Sequence, residues 1–169
     1  MPIVELPLIW IIVVDAIAWA FFHIAISLLT VRIPFQWFIR NKHLFESFHF
    51  ERQGNLWQRL FRVKSWKQLI PDGTMVIRKG YTKKSLHGND MSSLEEFVVE
   101  SRRAELTHWL SIAPVALFFL WNPVWASLLN VAYAVLFNVP IVIAQRYNRP
   151  RLERLIARKQ NKPRAELLR

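Results

Sequence analysis

The sequence contains no cysteine among its 169 residues, so a disulfide framework, a thiolate nucleophile and a cysteine-bound metal are excluded. Acidic side chains are also scarce, with 12 Asp and Glu against 23 Lys and Arg, which leaves a net charge of +11. In a soluble protein so basic a balance suggests nucleic acid, whereas in a membrane protein it reflects anionic lipid. No internal repeat or low-complexity segment is present.

Apolar and aromatic residues, in contrast, are abundant. Hydrophobic residues make up 53% of the chain, which includes 8 Trp and 12 Phe. Such a composition is too apolar for an ordinary soluble domain, and aromatic belts at membrane interfaces would account for it. We therefore expect membrane lipid as a partner and expect no nucleic-acid partner.

Three apolar runs predict membrane helices. Residues 3–29 are long enough for one span, which needs about 20 residues. The absence of a basic stretch before this run disfavours a signal peptide. Residues 106–120 and 124–144 flank Trp121-Asn122-Pro123 and predict an antiparallel hairpin, with a re-entrant pair as the alternative. Asp15 is more consistent with a structural role, such as a hydrogen bond to another helix, than with a functional one.

The segment between the first span and the hairpin alternates aromatic and basic residues. Residues 55–67 predict an amphipathic helix at the membrane interface, with Leu56, Leu60 and Val63 on one side. Pro71-Asp72-Gly73 predicts a turn, followed by a basic loop to Asn89. A helix then begins near Asp90 and continues into the hairpin, and a basic helix is expected near residues 150–160.

Together these patterns predict an all-α integral membrane protein. It has about three membrane helices, one N-terminal and two in a C-terminal hairpin, with amphipathic interfacial helices between them. The predicted divisions are an N-terminal membrane helix (1–30), an aromatic and basic segment (31–105), the hairpin (106–145) and a basic tail (146–169). The sequence does not specify the oligomeric state of the protein.

The distribution of positive charge predicts the topology. Residues 31–105 carry 14 Lys and Arg and the tail carries nine, which together are all 23 in the chain. The positive-inside rule places both segments in the cytoplasm, with the N-terminus and the hairpin tip outside. We therefore expect a multi-pass protein of the cell membrane with its catalytic face in the cytoplasm.

A candidate site lies where the hairpin enters the membrane. Ser101, Glu105 and His108 share one face of a helix, which places a carboxylate one turn from an imidazole. His108 could act as the general base and Glu105 could orient it, as acyl transfer to an alcohol requires. The hairpin should return the chain beside this point, so the predicted substrate-binding residues are Arg103, Arg146, Tyr147, Asn148, Arg149, His49, Glu51 and Glu100.

Simpler interpretations of the same residues remain open. Arg and Glu at helix ends commonly form interfacial salt bridges, and a boundary histidine often serves only as an anchor. Glu105-x-x-His108 also resembles half of a metal motif. Because no second such motif or ligand-spaced histidine pair accompanies it, we predict no metal.

Several motifs carry a resemblance to a known family. They are Arg32-Ile-Pro34, Phe45-x-x-Phe-x-Phe-Glu51, Glu100-x-x-Arg-Ala-Glu-Leu-x-His-Trp109, Asn138-Val-Pro-Ile and Gln145-Arg-Tyr-Asn-Arg-Pro-Arg-Leu152, with Gly54, Trp57, Trp66-Lys67 and Asp72-Gly73. From about residue 15 to 155 the chain resembles the glycosyl-4,4'-diaponeurosporenoate acyltransferase family of staphyloxanthin-type carotenoid synthesis. The resemblance implies a membrane acyltransferase that esterifies a sugar hydroxyl of a glycosylated carotenoid. The roles of His108 and Glu105 come from chemistry and topology rather than from the resemblance.

Two functions follow as expectations. The first is an O-acyltransferase that uses acyl-CoA or acyl carrier protein thioester as cosubstrate and needs no other cofactor. Its acceptor would be a glycosylated carotenoid or another glycolipid. Arg103, Arg146 and Arg149 would bind the donor's phosphates or the acidic surface of its carrier, and Tyr147 or Asn148 would polarise the thioester carbonyl. The alternative is a non-catalytic scaffold or lipid-binding subunit of a pathway complex.

Overall fold

The computed structural model describes residues 6–69 and 91–166, with side chains up to residue 161. Within these residues the regular structure is entirely helical, which confirms the all-α prediction. The predicted turn at residues 71–73 and the loop to Asn89 lie outside the described residues. The α-helices are α1 (Leu8–Arg32), α2 (Phe35–Arg40), α3 (Asn55–Phe61), α4 (Val63–Trp66), α5 (Met91–Ile112) and α6 (Val124–Glu166). Short 3-10 helices cover Lys42–Phe45, His49–Glu51, Lys67–Leu69 and Ala113–Leu120.

Two of these helices are long and apolar enough to cross a membrane. They are α1, with 25 residues, and the 38-residue stretch Val124–Asn161 of α6. They overlap the predicted spans 3–29 and 124–144, respectively. The third predicted span, residues 106–120, is shared between the end of α5 and the 3-10 helix Ala113–Leu120 and does not form one long helix.

The change to 3-10 geometry in this third segment begins beside a proline. Pro114 lacks a backbone N–H and occupies one of the first two positions of the 3-10 helix. A 3-10 helix rises about 2.0 Å per residue, against about 1.5 Å in an α-helix. The segment 106–120 therefore reaches about 26 Å rather than about 22 Å, close to the roughly 30 Å of a hydrocarbon core. The complete crossing of the membrane by this segment stays a prediction.

The predicted single helix over residues 55–67 is wrong in one respect. Arg62 has a left-handed backbone, with φ 48°, and separates α3 from α4. The Arg62 N–H still bonds to the Gln58 carbonyl, while the Gln58 side chain accepts the Lys64 N–H at 3.0 Å. The break also separates the residues of the predicted apolar side, because Val63 is buried and Leu60 is 60% exposed.

The basic tail helix is the continuation of α6 rather than a separate element. Pro140 and Pro150 both lie inside this 43-residue helix. After Pro150, arginine side chains bond to nearby carbonyls, with Arg151 donating to Tyr147 and Arg154 Nε donating to Pro150 at 3.2 Å. Side-chain donors thus supplement the backbone hydrogen bonds in the turn that contains Pro150.

The chain forms two compact units. Unit 1 comprises residues 1–34 and 105–142, and unit 2 comprises residues 35–104 and 143–169. In unit 1, α1 packs on the hairpin through a core of Trp19, Phe118 and Ala134. The Trp19 and Phe118 rings are stacked, with centroids 4.6 Å apart.

A polar network joins α1 to the hairpin tip within unit 1. Asp15 Oδ1 accepts hydrogen bonds from Trp121 Nε1 and Asn122 Nδ2, both at 2.8 Å. Asp15 Oδ2 accepts one from Asn130 Nδ2 at 2.7 Å, and Asn130 in turn accepts the Trp19 indole N–H at 2.7 Å. The expected hydrogen bonding of Asp15 to another helix is therefore present, with partners on both sides of the tip.

Candidate functional site

His108 lies in the last turns of α5 and bonds to the hairpin's second helix. Its Nδ1 atom lies 2.8 Å from Oδ1 of Asn138 on α6. Asn138 is fully buried, and its Nδ2 donates to the Ala134 carbonyl at 2.9 Å, one turn earlier in the same helix. The amide is thereby held with its oxygen toward the imidazole.

This orientation of the amide determines the tautomer of neutral His108. Because an amide oxygen only accepts hydrogen bonds, Nδ1 must carry the proton. The lone pair of neutral His108 is then on Nε2, the nitrogen that can accept a proton from a hydroxyl. A neutral amide orients the ring at this nitrogen without adding a negative charge.

Two hydroxyl groups and the predicted carboxylate lie within three residues of this histidine along the chain, in the same unit. Thr107 donates to Thr30 on α1 at 2.8 Å, and Ser111 donates to the Thr107 carbonyl at 2.8 Å. Glu105 is 1% exposed and belongs to unit 1 with His108. The role of Glu105 as the orienting partner stays a prediction, while Asn138 makes the observed contact.

The eight predicted substrate-binding residues all fall in unit 2. Two of them bond to each other: Arg146 Nε lies 2.7 Å from Glu51 Oε1, and Arg146 Nη2 lies 3.1 Å from Glu51 Oε2. Glu51 also accepts the Phe48 N–H at 3.0 Å, and the Arg146 guanidinium lies over the Phe48 ring. Both charged groups are buried, so this pair joins α6 to the 3-10 turn His49–Glu51 as an internal ion pair.

Three further arginines of unit 2 lie against aromatic rings or acids. Arg103 lies 3.4 Å from Glu100 on the same helix and over the Phe38 ring. Arg149 is 1% exposed and lies over the Phe45 ring. Arg102, which is not among the predicted site residues, bonds to Glu153 at 3.0 Å and to the Phe38 carbonyl at 3.2 Å. His49 is exposed in its 3-10 turn.

Tyr147 and Asn148 form a different kind of cluster with two cations. Lys67 Nζ donates to Asn148 Oδ1 at 2.8 Å and lies 5.1 Å from the Tyr147 ring centroid. The Arg151 guanidinium lies 3.7 Å from the same centroid and donates to Asn55 Oδ1 at 3.0 Å. Partial burial, together with the positive charges of Arg151 and Lys64, lowers the pKa of Lys67 below its usual value.

A glycine permits the close approach on which this cluster depends. Gly54 precedes α3 and has φ +85°, a left-handed conformation that favours glycine. A Cβ atom at this position would lie 2.8 Å from Arg151 Nη1 and 3.0 Å from the Tyr147 carbonyl oxygen. The missing side chain thus lets the turn before α3 contact α6 directly.

Unit 2 also contains a cavity of about 550 Å³. Its lining includes buried Val98, Val99 and Arg102 and exposed Glu95 and Glu96. The volume falls within the usual range for small-molecule pockets. The complete lining is Phe35, Ile39, Lys42, Ser92, Glu95, Glu96, Val98, Val99, Arg102, Glu153 and Ile156.

The structure adds residues to those that the sequence indicated. Asn138, Lys67 and Arg151 are not among the predicted site residues, although each lies in a motif that carries the family resemblance. Asn138 is an amide within an apolar run, a feature that marks either helix pairing or a site. The predicted patch that joins His108 to the substrate-binding residues combines the two units and stays a prediction.

Among the described residues, span-length helices and an imidazole oriented by a buried amide define the class: a small helical protein with an imidazole–amide contact between its helices. The sequence profile described as glycosyl-4,4'-diaponeurosporenoate acyltransferase matches residues 41–158. The chain belongs to this family, which makes it an acyltransferase and confirms the resemblance found in its motifs.

Curated relatives from Staphylococcus aureus carry the same name. The glycosyl-4,4'-diaponeurosporenoate acyltransferases of strains bovine RF122 / ET3-1 and MRSA252 are each 42% identical over 139 residues. These alignments cover 82% of this chain and 83% of each relative. The protein of strain USA300 is 39% identical over 138 residues, with the same coverage of both chains. No solved structure matches the chain.

Proposed function

We propose that this chain transfers a fatty acyl group from a thioester donor to a sugar hydroxyl of a glycosylated carotenoid or a similar glycolipid. The names of the family and its relatives support this acceptor class, and the His108–Asn138 pair carries the chemical argument. The apolar helices α1 and α6 suit an enzyme whose acceptor and product are lipids. We place it in the cell membrane as a multi-pass protein, with its basic segments and catalytic face toward the cytoplasm.

The proposed reaction is a direct acyl transfer. His108 Nε2 removes the proton from the sugar hydroxyl as the oxygen attacks the thioester carbonyl carbon. The new C–O bond forms, the C–S bond breaks, and the histidine proton passes to the departing sulfur. The products are the ester and the free thiol, so the reaction needs no cofactor beyond the thioester cosubstrate, acyl-CoA or acyl carrier protein.

Asn138 acts as a positioning residue in this scheme. Its oxygen holds the Nδ1–H of His108, which leaves the proton-accepting lone pair on Nε2. We expect Asn138→Ala to lower kcat by about 10- to 100-fold with little change in KM, because a mobile imidazole samples unproductive orientations and tautomers.

A double variant distinguishes positioning from a structural role. If Asn138 acts through His108, adding Asn138→Ala to His108→Ala should cause no further loss of rate. Independent, multiplicative losses in the double variant would contradict this role. Ser111→Ala, which removes a nearby hydroxyl in the same unit, is the matched control.

The direct test of the function uses purified protein in detergent or lipid nanodiscs. It is incubated with a fatty acyl thioester and a glycosylated carotenoid acid, and products are identified by mass spectrometry. The expected result is an acceptor whose mass increases by one acyl group. Thioester and acceptor that remain unchanged with folded protein would instead favour the non-catalytic scaffold.

A further inference from the structure

Four cations of unit 2 differ in the groups that hold them. Arg146 and Arg102 each bond to a carboxylate, Glu51 and Glu153 respectively. Lys67 and Arg151 are held instead by the amide oxygens of Asn148 and Asn55. Among the described residues no carboxylate forms an ion pair with Lys67 or Arg151. Their positive charge is thus positioned but not neutralised by these residues.

Fixed cations without counter-charges repel one another. The pKa of Lys67 is lowered first by desolvation and then by the charges of Arg151 and Lys64. Folding therefore brings these cations together at an electrostatic cost, which an anion bound among them would offset. Arrangements of this kind, with one guanidinium and one ammonium, are suited to phosphate oxygens.

The cluster is also built on rigid supports. The buried Tyr147 ring lies beside both cations, and Gly54 lets α6 contact the turn before α3. Each cation is restrained by one amide and one ring face, so little side-chain freedom is lost when a ligand binds. Exposed Lys64 adds a further positive charge at the edge of the cluster.

We propose that Lys67 and Arg151, supported by Tyr147, Asn148 and Asn55, form a binding site for a phosphate ester. Two sources share this chemistry: the phosphates of a soluble acyl donor and the phosphodiester headgroup of an anionic lipid. Assigning the ligand to the acyl donor rests on the proposed function, whereas the phosphate site does not.

The test measures binding to the full chain without turnover. Adenosine 3',5'-bisphosphate, which carries the ribose phosphate and a second phosphate like the nucleotide part of CoA, serves as the soluble probe with protein in nanodiscs of neutral lipid. In a second arm, protein in nanodiscs of phosphatidylcholine alone is compared with protein in nanodiscs that also contain phosphatidylglycerol. In both arms the readout is the degree to which an amine-reactive reagent labels Lys67. Protection by the soluble probe supports a donor phosphate, and protection only by phosphatidylglycerol supports a lipid headgroup.

Variants test whether phosphate binding depends on Lys67 and Arg151. Because Lys67→Gln and Lys67→Arg lack the labelled amine, binding to the variants is measured directly with the radiolabelled form of the protecting phosphate. Lys67→Gln and Arg151→Gln should each weaken this binding by about tenfold or more, and Lys67→Arg should retain it. Arg158→Gln is the matched control, because it removes one exposed positive charge from the same helix outside the cluster. It should change binding less than twofold. Helical circular dichroism verifies that each variant is folded.

Labelling of Lys67 in the wild-type protein keeps the test independent of how the variants fold. If neither phosphate source protects Lys67, the proposal is overturned. It is equally overturned if Arg158→Gln weakens binding as much as Arg151→Gln, since a diffuse positive surface would then suffice. Failure of acyl transfer leaves this binding result intact, so the two proposals fail separately.

Discussion

Unit 1 and unit 2 both bury polar groups, but the contacts that these groups make differ between the units. In unit 1 the buried contacts described are largely between neutral groups, namely amides, indoles, hydroxyls and one imidazole, and the carboxyl groups are those of Asp15 and Glu105. In unit 2 they are ion pairs and cation–π contacts, with Arg146 and Glu51 as the most buried pair.

The difference agrees with the proposed membrane location. Apolar helices surrounded by lipid must satisfy polar groups internally, and neutral donors and acceptors cost least to desolvate there. A basic unit at the aqueous boundary can retain charges, provided that the buried ones are paired. Unit 1 thus holds the candidate base and unit 2 holds the cations suited to anionic ligands.

The largest stability effect is expected from breaking the ion pair of unit 2. Glu51→Ala leaves the Arg146 guanidinium buried without its carboxylate and should lower the free energy of unfolding by about 3–5 kcal/mol. Thermal unfolding followed by circular dichroism in detergent measures the loss. Replacing both residues by Met should recover much of it, and a single variant as stable as the wild type would show that the pair contributes nothing.

A smaller loss is expected from the neutral network of unit 1. Asp15→Ala removes the acceptor for Trp121, Asn122 and Asn130, and it should cost about 1–3 kcal/mol. Asp15→Asn keeps one acceptor oxygen and should cost less. The same unfolding assay compares the two variants. Equal effects of Ala and Asn would indicate that the network does not depend on the acceptor.

Left-handed backbone positions in unit 2 predict two substitutions with opposite effects on stability. Gly54→Ala places a Cβ at φ +85° against Arg151 and should destabilise the fold by about 1–2 kcal/mol. Arg62→Gly, at φ 48° on an exposed side chain, should instead be neutral or stabilising by up to about 1 kcal/mol. Unfolding midpoints for both variants test whether the left-handed positions differ as the structure indicates.

The smallest expected effect is on the pH dependence of the free energy of unfolding. Because the pKa of Lys67 is lowered in the folded state, the unfolded chain binds more protons at Lys67 in the window between the folded pKa and the usual value of 10.5. This contribution therefore makes stability rise as pH increases through that window, by about 0.5 kcal/mol or less after solvent screening. Lys67→Gln should flatten the profile there, and a wild-type slope that persists in the variant would assign it to other groups.

Local patterns in the sequence predicted much of the helical architecture. Hydropathy located the apolar cores of α1 and α6, and the helix start expected near Asp90 agrees with α5, which begins at Met91. The hydrogen bonding of Asp15 was also foreseeable, since a carboxyl within an apolar helix needs donors. Arg62 was not, because nothing in its side chain indicates a left-handed backbone.

The site was predictable only in part, because its contacts join residues that are distant along the chain. His108 stood out as an imidazole at the start of an apolar run, whereas its partner Asn138 lies 30 residues later. Glu51 and Arg146 were both predicted as ligand-binding residues, and their pairing across 95 positions depends on how unit 2 folds. Lys67 was expected only as the last residue of the amphipathic helix over residues 55–67, and its contact with Asn148 reveals its place beside Tyr147.

The rate of acyl transfer by His108→Ala tests the central claim most directly. Purified wild type and variant are compared at saturating thioester and acceptor, with circular dichroism and unfolding midpoints to verify that both are folded. We expect kcat to fall by about 10²- to 10⁴-fold, the usual contribution of a general base, with the fold intact. A folded His108→Ala protein that transfers acyl groups at a near wild-type rate would contradict the assignment.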